Sequence, residues 1–158
     1  IHFNAEDLGY MSQEVKDLLA ASNWPGMNIL MFAFDPREDG EEKPEEFIEN
    51  SVCYTGTHDN TTLLGWLESL PDEILNSLKS YFNSEDPKVL AEKIIQEGER
   101  SKSFLMVVPI QDWLGMGKEA RINTPGTSSG NWQWRLRSMD LLKSLAPRIK
   151  KTIGDRAQ

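Results

Sequence analysis

The chain holds 158 residues, 39% hydrophobic and 27% charged, with a net charge of −8, one cysteine and two histidines. That balance excludes an internal disulfide and a structural zinc site built from Cys and His alone, and it argues against a nucleic-acid partner, whose phosphates a negative surface repels. No apolar run approaches the roughly 18 residues of a membrane-spanning helix, so no membrane partner is expected, and the lone Cys53 fits a reducing cytoplasm.

The length fits one domain over residues 1–158, since single cores divide only beyond roughly 250 residues. The chain opens at Ile1, inside what reads as folded sequence, with no signal-peptide pattern, which points to a piece of something longer. Ser12 is placed to cap a helix whose Val15, Leu18 and Leu19 share a face, ending near Asn23-Trp24-Pro25-Gly26. Residues 27–34 form a continuous apolar run that reads as a strand buried on both faces. Residues 35–50 carry eight acids and two bases, and with Pro36, Gly40 and Pro44 they read as a solvated loop around Glu41, Glu42, Glu45 and Glu46.

Residues 51–57 are rich in β-branched and aromatic side chains and read as a second strand. Leu63, Leu67 and Leu70 follow at helical spacing. Pro71-Asp72 restarts a helix with Ile74, Leu75, Leu78 and Phe82 on one face, and Asp86-Pro87 opens another. Residues 104–110 give a third strand, with Pro109 near its end because it lacks an N–H. Residues 111–135 read as a long loop with one helical turn at most. A last helix carries Leu142, Leu145, Ile149 and Ile153, bent or restarted at Pro147. Its nine bases against three acids over residues 117–158 read as a wet helix face. The opening residues 2–5 fit the tail of one more strand. Strands alternating with helices, without tight hairpins, imply an α/β fold of parallel strands with helical crossovers.

Each apolar run is followed at once by chemically capable residues: Glu6 and Asp7, then Asp35, then His58, Asp59 and Asn60, then Gln111 and Asp112. Parallel α/β folds bind ligands at the carboxyl ends of their strands. The bland alternative is that these acids cap the helices that follow. Glycosyl transfer needs one carboxylic acid that donates to the leaving oxygen and one carboxylate that balances an oxocarbenium ion. Glu6 suits the first role and Asp59, beside His58, the second, with His58 also able to donate to a sugar hydroxyl. Five tryptophans add a second line, because sugars stack their C–H faces on aromatic rings. Trp66 reads as core. For Trp132 and Trp134 the alternation implies one ring in and one out, without saying which.

Ala5-Glu6-Asp7-Leu8-Gly9, Trp24-Pro25-Gly26-Met27, Phe32-Ala33-Phe34-Asp35 and Tyr54-Thr55-Gly56-Thr57-His58-Asp59-Asn60 occur in that order. Pro109-Ile110-Gln111-Asp112, Glu119-Ala120-Arg121-Ile122-Asn123, Pro125-Gly126-Thr127 and Gly130-Asn131-Trp132-Gln133-Trp134-Arg135 follow. Together they resemble the C-terminal part of the 4-α-glucanotransferases, the amylomaltases or disproportionating enzymes of glycoside hydrolase family 77, over about residues 1 to 150.

The resemblance implies the C-terminal portion of a (β/α)₈ TIM barrel and a retaining enzyme without a cofactor. Such an enzyme moves α-1,4-glucan segments onto another sugar's 4-hydroxyl. It implies Glu6 as general acid/base, Asp59 as transition-state stabiliser, and His58, Asn123, Phe32 and, more weakly, Asp7 as substrate contacts. Its partners would be maltooligosaccharides and amylose, together with the N-terminal half of the same enzyme. The family's nucleophile is an Asp in an Arg-x-Asp-His stretch upstream of the Glu6 motif. Only five residues precede Glu6 here, none of them Asp. This chain alone is therefore expected to be inactive. Thr61 also stands where many relatives carry Asp. A reading of another class, a non-catalytic carbohydrate-binding or scaffold protein on the same barrel, accounts for the motifs as well.

Overall fold

Three short strands carry the architecture. In the computed structural model, which describes residues 2–9, 11–38 and 42–154, β1 (Gly26–Ile29), β2 (Ser51–Tyr54) and β3 (Leu105–Val107) form one sheet in the order β1-β2-β3. Both pairings are parallel, with Gly26 opposite Ser51 and Ile29 opposite Tyr54, then Val52 opposite Leu105 and Tyr54 opposite Val107. Helix α1 (Gln13–Ser22) precedes the sheet. The β1–β2 crossover contains α2 (Leu30–Ala33) and a 3₁₀ turn at Pro44–Glu46. The β2–β3 crossover contains α3 (Leu63–Leu67), α4 (Asp72–Phe82) and α5 (Pro87–Arg100). After β3 come α6 (Ile110–Trp113), a 3₁₀ turn at Lys118–Ala120 and α7 (Asp140–Ile153). The α/β arrangement of parallel strands and helical crossovers is the one the alternation predicts.

The helix signals act as their chemistry requires. Ser12 Oγ accepts from the Val15 amide, and Asn23 takes the left-handed conformation (φ 53°) that ends α1. Thr62 caps α3 by accepting from the Gly65 amide, and Asp86 caps α5 by accepting from the Lys88 amide at 2.8 Å. Pro109 sits just past β3 and immediately before α6, where its missing N–H costs nothing.

Four expectations are corrected. The run 27–34 is not one strand: it stops after Ile29 and coils into α2. Met31 N still donates to Thr55 O at 3.2 Å, one residue past the end of β2 at Tyr54, and Phe34 N turns back to Leu30 O at 3.0 Å. With no partner strand beyond Thr55, the remaining amides are satisfied locally, and a uniformly apolar run suits a buried helix as well as a strand. Residues 2–5 form no strand; Ala5 N donates to Pro25 O at 2.9 Å beside the start of β1. The stretch 111–135 is less open than predicted, since α6 and a 3₁₀ turn occupy its first part. Of the two outcomes expected at Pro147, a bend or a restart, the restart is overturned, because α7 runs through it as one helix.

The acidic loop is solvated at Glu42, Glu45 and Glu46, whereas Pro44 and Phe47 are buried and anchor it to the core. Glu41 and Gly40 lie outside the described residues. The core gathers Ile29, Leu30, Leu63, Leu67, Leu90 and Ile94, all essentially inaccessible. Gly98 on α5 permits that closeness, because a Cβ there would collide with the side chains of Met106 and Leu30. Trp66 is buried, as predicted.

Candidate active site

A cleft of about 450 Å³ opens at the carboxyl ends of β2 and β3. Its walls come from three stretches distant in sequence: Asn4 and Glu6, then residues 56–58 and 60–62, then Pro109, Gln111, Asp112 and residues 120–122.

Asp112 ties its floor together. Its Oδ2 accepts from Thr55 Oγ1 at 2.5 Å and its Oδ1 from the Leu63 amide at 2.7 Å. One buried carboxylate thus grips both ends of the 55–63 segment, which carries His58 and Asp59. Burial pushes the Asp112 carboxyl above the usual carboxylate range, and the bonds from Thr55 and Leu63 oppose that rise. Within the loop, Asn60 Oδ1 accepts from the Thr57 amide at 2.8 Å and from Thr57 Oγ1 at 2.9 Å, while Thr57 Oγ1 accepts from the Asp59 amide at 3.2 Å. Such local side-chain bonds to backbone hold a loop without regular structure.

Asp59 is the hub of the upper rim. Asn123 Nδ2 donates to its Oδ1 at 2.5 Å, and His58 Nε2 lies 3.3 Å from the same oxygen. Arg121 donates from its terminal nitrogen to the Asp59 carbonyl at 2.6 Å and from Nε to the Asn123 carbonyl at 2.7 Å. The loop after β2 and the loop after α6 are therefore laced to each other at Asp59. Asp59 itself stands beside the cleft rather than among its lining residues, and its side chain is half exposed, as is that of His58. Thr61 lines the cleft with its hydroxyl unpartnered.

Glu6 lines the mouth and is exposed, not enclosed in the low-dielectric pocket that its suggested role favours. Asp7, next to it, points elsewhere: its Oδ1 accepts from the Met27 amide at 2.7 Å. Gly26 makes room for it, since a Cβ there would run into the Asp7 carboxylate. Phe32 is half-buried on α2, packed against the core, and does not line the cleft. Asp35 also stays away from the cleft. It is buried, and Arg37 grips it through Nε at 2.8 Å and a terminal nitrogen at 2.5 Å, which holds its carboxyl below the usual range. So the second run does not deliver a carboxylate to the cleft, and Asp112 lines the site while bonding the first amide of the earlier helix that begins at Leu63, rather than capping the helix that follows it.

The tryptophan question resolves by position. Trp132 is the exposed ring, 5.2 Å from His58 between centroids, and Trp134 is half-buried. Arg121 is the rim residue that strand-end reasoning passes over, because it follows no apolar run; its signal is the Glu119–Asn123 motif itself. Among the described residues no group of three or more His, Cys, Asp or Glu is placed to hold a metal ion, and no helix is long and apolar enough to cross a membrane.

A parallel α/β sheet with a cleft at its carboxyl ends, fringed by a Glu, a His-Asp pair and an exposed Trp, has the makings of a carbohydrate-active site. The sequence profile of the 4-alpha-glucanotransferases, glycoside hydrolase family 77, matches residues 1–141. The chain belongs to that family. It is 35% identical over 151 residues to the chloroplastic/amyloplastic 4-alpha-glucanotransferase of Solanum tuberosum, covering 96% of this chain and 26% of that protein. It is 39% identical over 133 residues to the 4-alpha-glucanotransferase of Streptococcus pneumoniae, covering 84% of this chain and 26% of the relative. The amylomaltase of Streptococcus agalactiae, solved in complex with acarbose, superposes with a TM-score of 0.83 at 33% identity, over 93% of this chain and 30% of that one. Amylomaltase from Corynebacterium glutamicum shares the fold, with a TM-score of 0.66 at 22% identity. The chain thus spans between a quarter and a third of the length of these relatives.

Proposed function

We propose that this chain is the C-terminal part of a (β/α)₈ barrel enzyme, a retaining 4-α-glucanotransferase. It would transfer segments of maltooligosaccharides or amylose to a sugar 4-hydroxyl, in the cytoplasm, without a cofactor. The observation that carries the reading is the meeting of Glu6 and His58 on one cleft, with Asp59 held at its rim by Asn123. The family's names, and the acarbose complex of the S. agalactiae relative, support a glucan as the ligand.

In this reading Glu6, as the acid, protonates the glycosidic oxygen as an aspartate supplied from outside this chain attacks the anomeric carbon. The donor is then held as a glycosyl-enzyme. Glu6, now a carboxylate, takes the proton from the acceptor's 4-hydroxyl as that oxygen displaces the aspartate. Asp59 carries the negative charge that balances the oxocarbenium-like transition state, and its bonds from Asn123 and, through its carbonyl, from Arg121 fix it in place for that. His58 holds a hydroxyl of the reacting glucose. For Asp7 and Phe32 as sugar contacts, the support is the resemblance alone.

Maltotriose supplied to the complete polypeptide that carries this sequence should disproportionate to glucose and maltopentaose. Glu6→Gln should cut turnover by about 10³-fold or more while leaving glucan binding, because the amide keeps the shape but shuttles no proton. Near-normal turnover in that variant would remove Glu6 from the mechanism. Binding of glucan without turnover by the unaltered protein would favour a carbohydrate-binding module instead.

A further inference from the structure

We propose that Trp132 is a sugar-stacking platform: its indole flanks the cleft on the His58 side and takes the C–H face of a pyranose ring of an α-glucan chain. This rests on the glucan reading of the cleft and adds a binding residue to it.

Trp132 has a backbone φ of 62°, in the left-handed region that bulky L-residues rarely enter. Such a conformation persists only where the surroundings impose it. Here they do so from several directions. Trp132 N donates to Ile122 O at 2.8 Å, and Ile122 lines the cleft. Arg135 donates to the carbonyls of Trp132 at 2.8 Å and Trp134 at 2.7 Å. The preceding Asn131 accepts from the Thr124 amide at 2.9 Å and donates to Thr127 Oγ1 at 3.0 Å.

All this fixes a large apolar ring that remains 56% exposed. Trp66 and Trp113, both under 10% exposed, show what a ring held by packing looks like here, whereas the ring contact of Trp132 is His58, a residue that lines the cleft. Its ring neighbour is His58, at 5.2 Å and 36° between planes, which leaves much of the indole open. His58 is in turn joined to Asp59, and Asp59 to Asn123 and Arg121, so the platform and the cleft rim form one connected unit.

The chemistry of the neighbourhood selects the ligand. An aromatic face gains dispersion and apolar burial against an array of C–H groups, and amide and hydroxyl side chains such as Asn60 and Thr57 suit the hydroxyls of a neutral polyol. A pyranose presents both. Trp134, two residues on, is half-buried.

The test is calorimetric binding of maltoheptaose to the complete polypeptide and to two variants. Trp132→Gly removes the ring and suits the left-handed backbone, so it should melt no earlier than the unaltered protein. It should weaken maltoheptaose binding by about tenfold, the scale of one aromatic stacking contact. Trp132→Phe keeps a stacking face and should stay within about threefold of the unaltered protein. Unchanged affinity in Trp132→Gly overturns the platform while leaving the glucan reading intact. Equal weakening in both variants overturns it too, because a stacking role requires rescue by the second aromatic ring. Failure of the unaltered protein to bind maltoheptaose overturns the glucan reading and the platform with it.

Discussion

Helices α1 and α3 both announce themselves by apolar spacing, and in the structure each is capped by a hydroxyl, yet they end in opposite circumstances. All five residues of α3 are buried, and α5 behind it buries Leu90, Ala91, Ile94, Ile95 and Gly98. Helix α1 buries none; Val15 and Leu18 are 45% and 69% exposed. Near α1 the pattern continues: Phe3 and Trp24 stack on each other at 5.1 Å, and both remain about half exposed. At the far edge of the sheet Leu105 is also exposed, at 46%. Periodicity defines which face of an element wants burial, but not whether the covering element is present. The chain covers 26% to 30% of the length of the relatives described above, and among the described residues neither β1 nor β3 has a second partner strand.

The largest effect that would break this comparison is catalytic. Expressed by itself, residues 1–158 should show no disproportionation of maltotriose, because no residue in the sequence matches the family's nucleophile motif and Glu6 cannot be acid and nucleophile in one displacement. The exposed apolar faces should make it self-associate, or bind the N-terminal part of the enzyme. Chromatography of the sugar products decides the first point and light scattering the second. Transfer by this chain alone, or a clean stable monomer, would mean that the open half is not open in function.

The next effect is energetic. Ile94→Ala, in the packed half, should destabilise by about 2–5 kcal/mol in urea unfolding, the usual cost of a cavity in a core that cannot collapse. Leu18→Ala in residues 1–158 alone should stay within about 0.5 kcal/mol, since the side chain already faces water. In the complete polypeptide the same substitution should cost about 1.5–3 kcal/mol, because there Leu18 would be covered. Equal, small effects of Leu18→Ala in both contexts would show that α1 is a surface helix everywhere.

What could be read from the sequence divides along the same line. The helices of the packed half are legible because period and proline agree with burial: Pro71 and Asp86 each stand where a helix begins. Residues 27–34 read as one strand because an apolar run carries no period, and only the end of β2 at Tyr54 decides where the strand gives way to a helical turn. The meeting of Glu6 and His58 was legible from strand-end logic. That Asp35 turns away to Arg37 was not, since the guanidinium two residues on is as easily read as another loop charge. The role of Asp112 needed three dimensions, because its partners Thr55 and Leu63 are 57 and 49 residues away.

The smallest effect separates the two buried carboxylates of the packed half, whose shifts have opposite sign. Asp35 is held low by its bonds from Arg37, against the opposing cost of burial. A carboxylate with a lowered folded value adds stability above its ordinary 3.8, and that contribution fades as pH falls through the folded value. Arg37→Gln should therefore cost most near neutrality and progressively less below about pH 4. Asp112 is raised, first by burial, so the contribution of its protonated form is complete below 3.8 and is lost as pH rises through the folded value. Asp112→Asn keeps an oxygen for the Leu63 amide and an NH₂ that can donate to Thr55 Oγ1, but it has no charge to bury. Relative to the unaltered protein it should gain ground as pH rises from about 4 toward 7, the reverse of Arg37→Gln. Urea midpoints of both variants across pH 3–7 supply the two slopes. Slopes of the same sign would mean that Asp112, despite its burial, behaves as a paired carboxylate does, and that the floor of the cleft holds its negative charge at little cost.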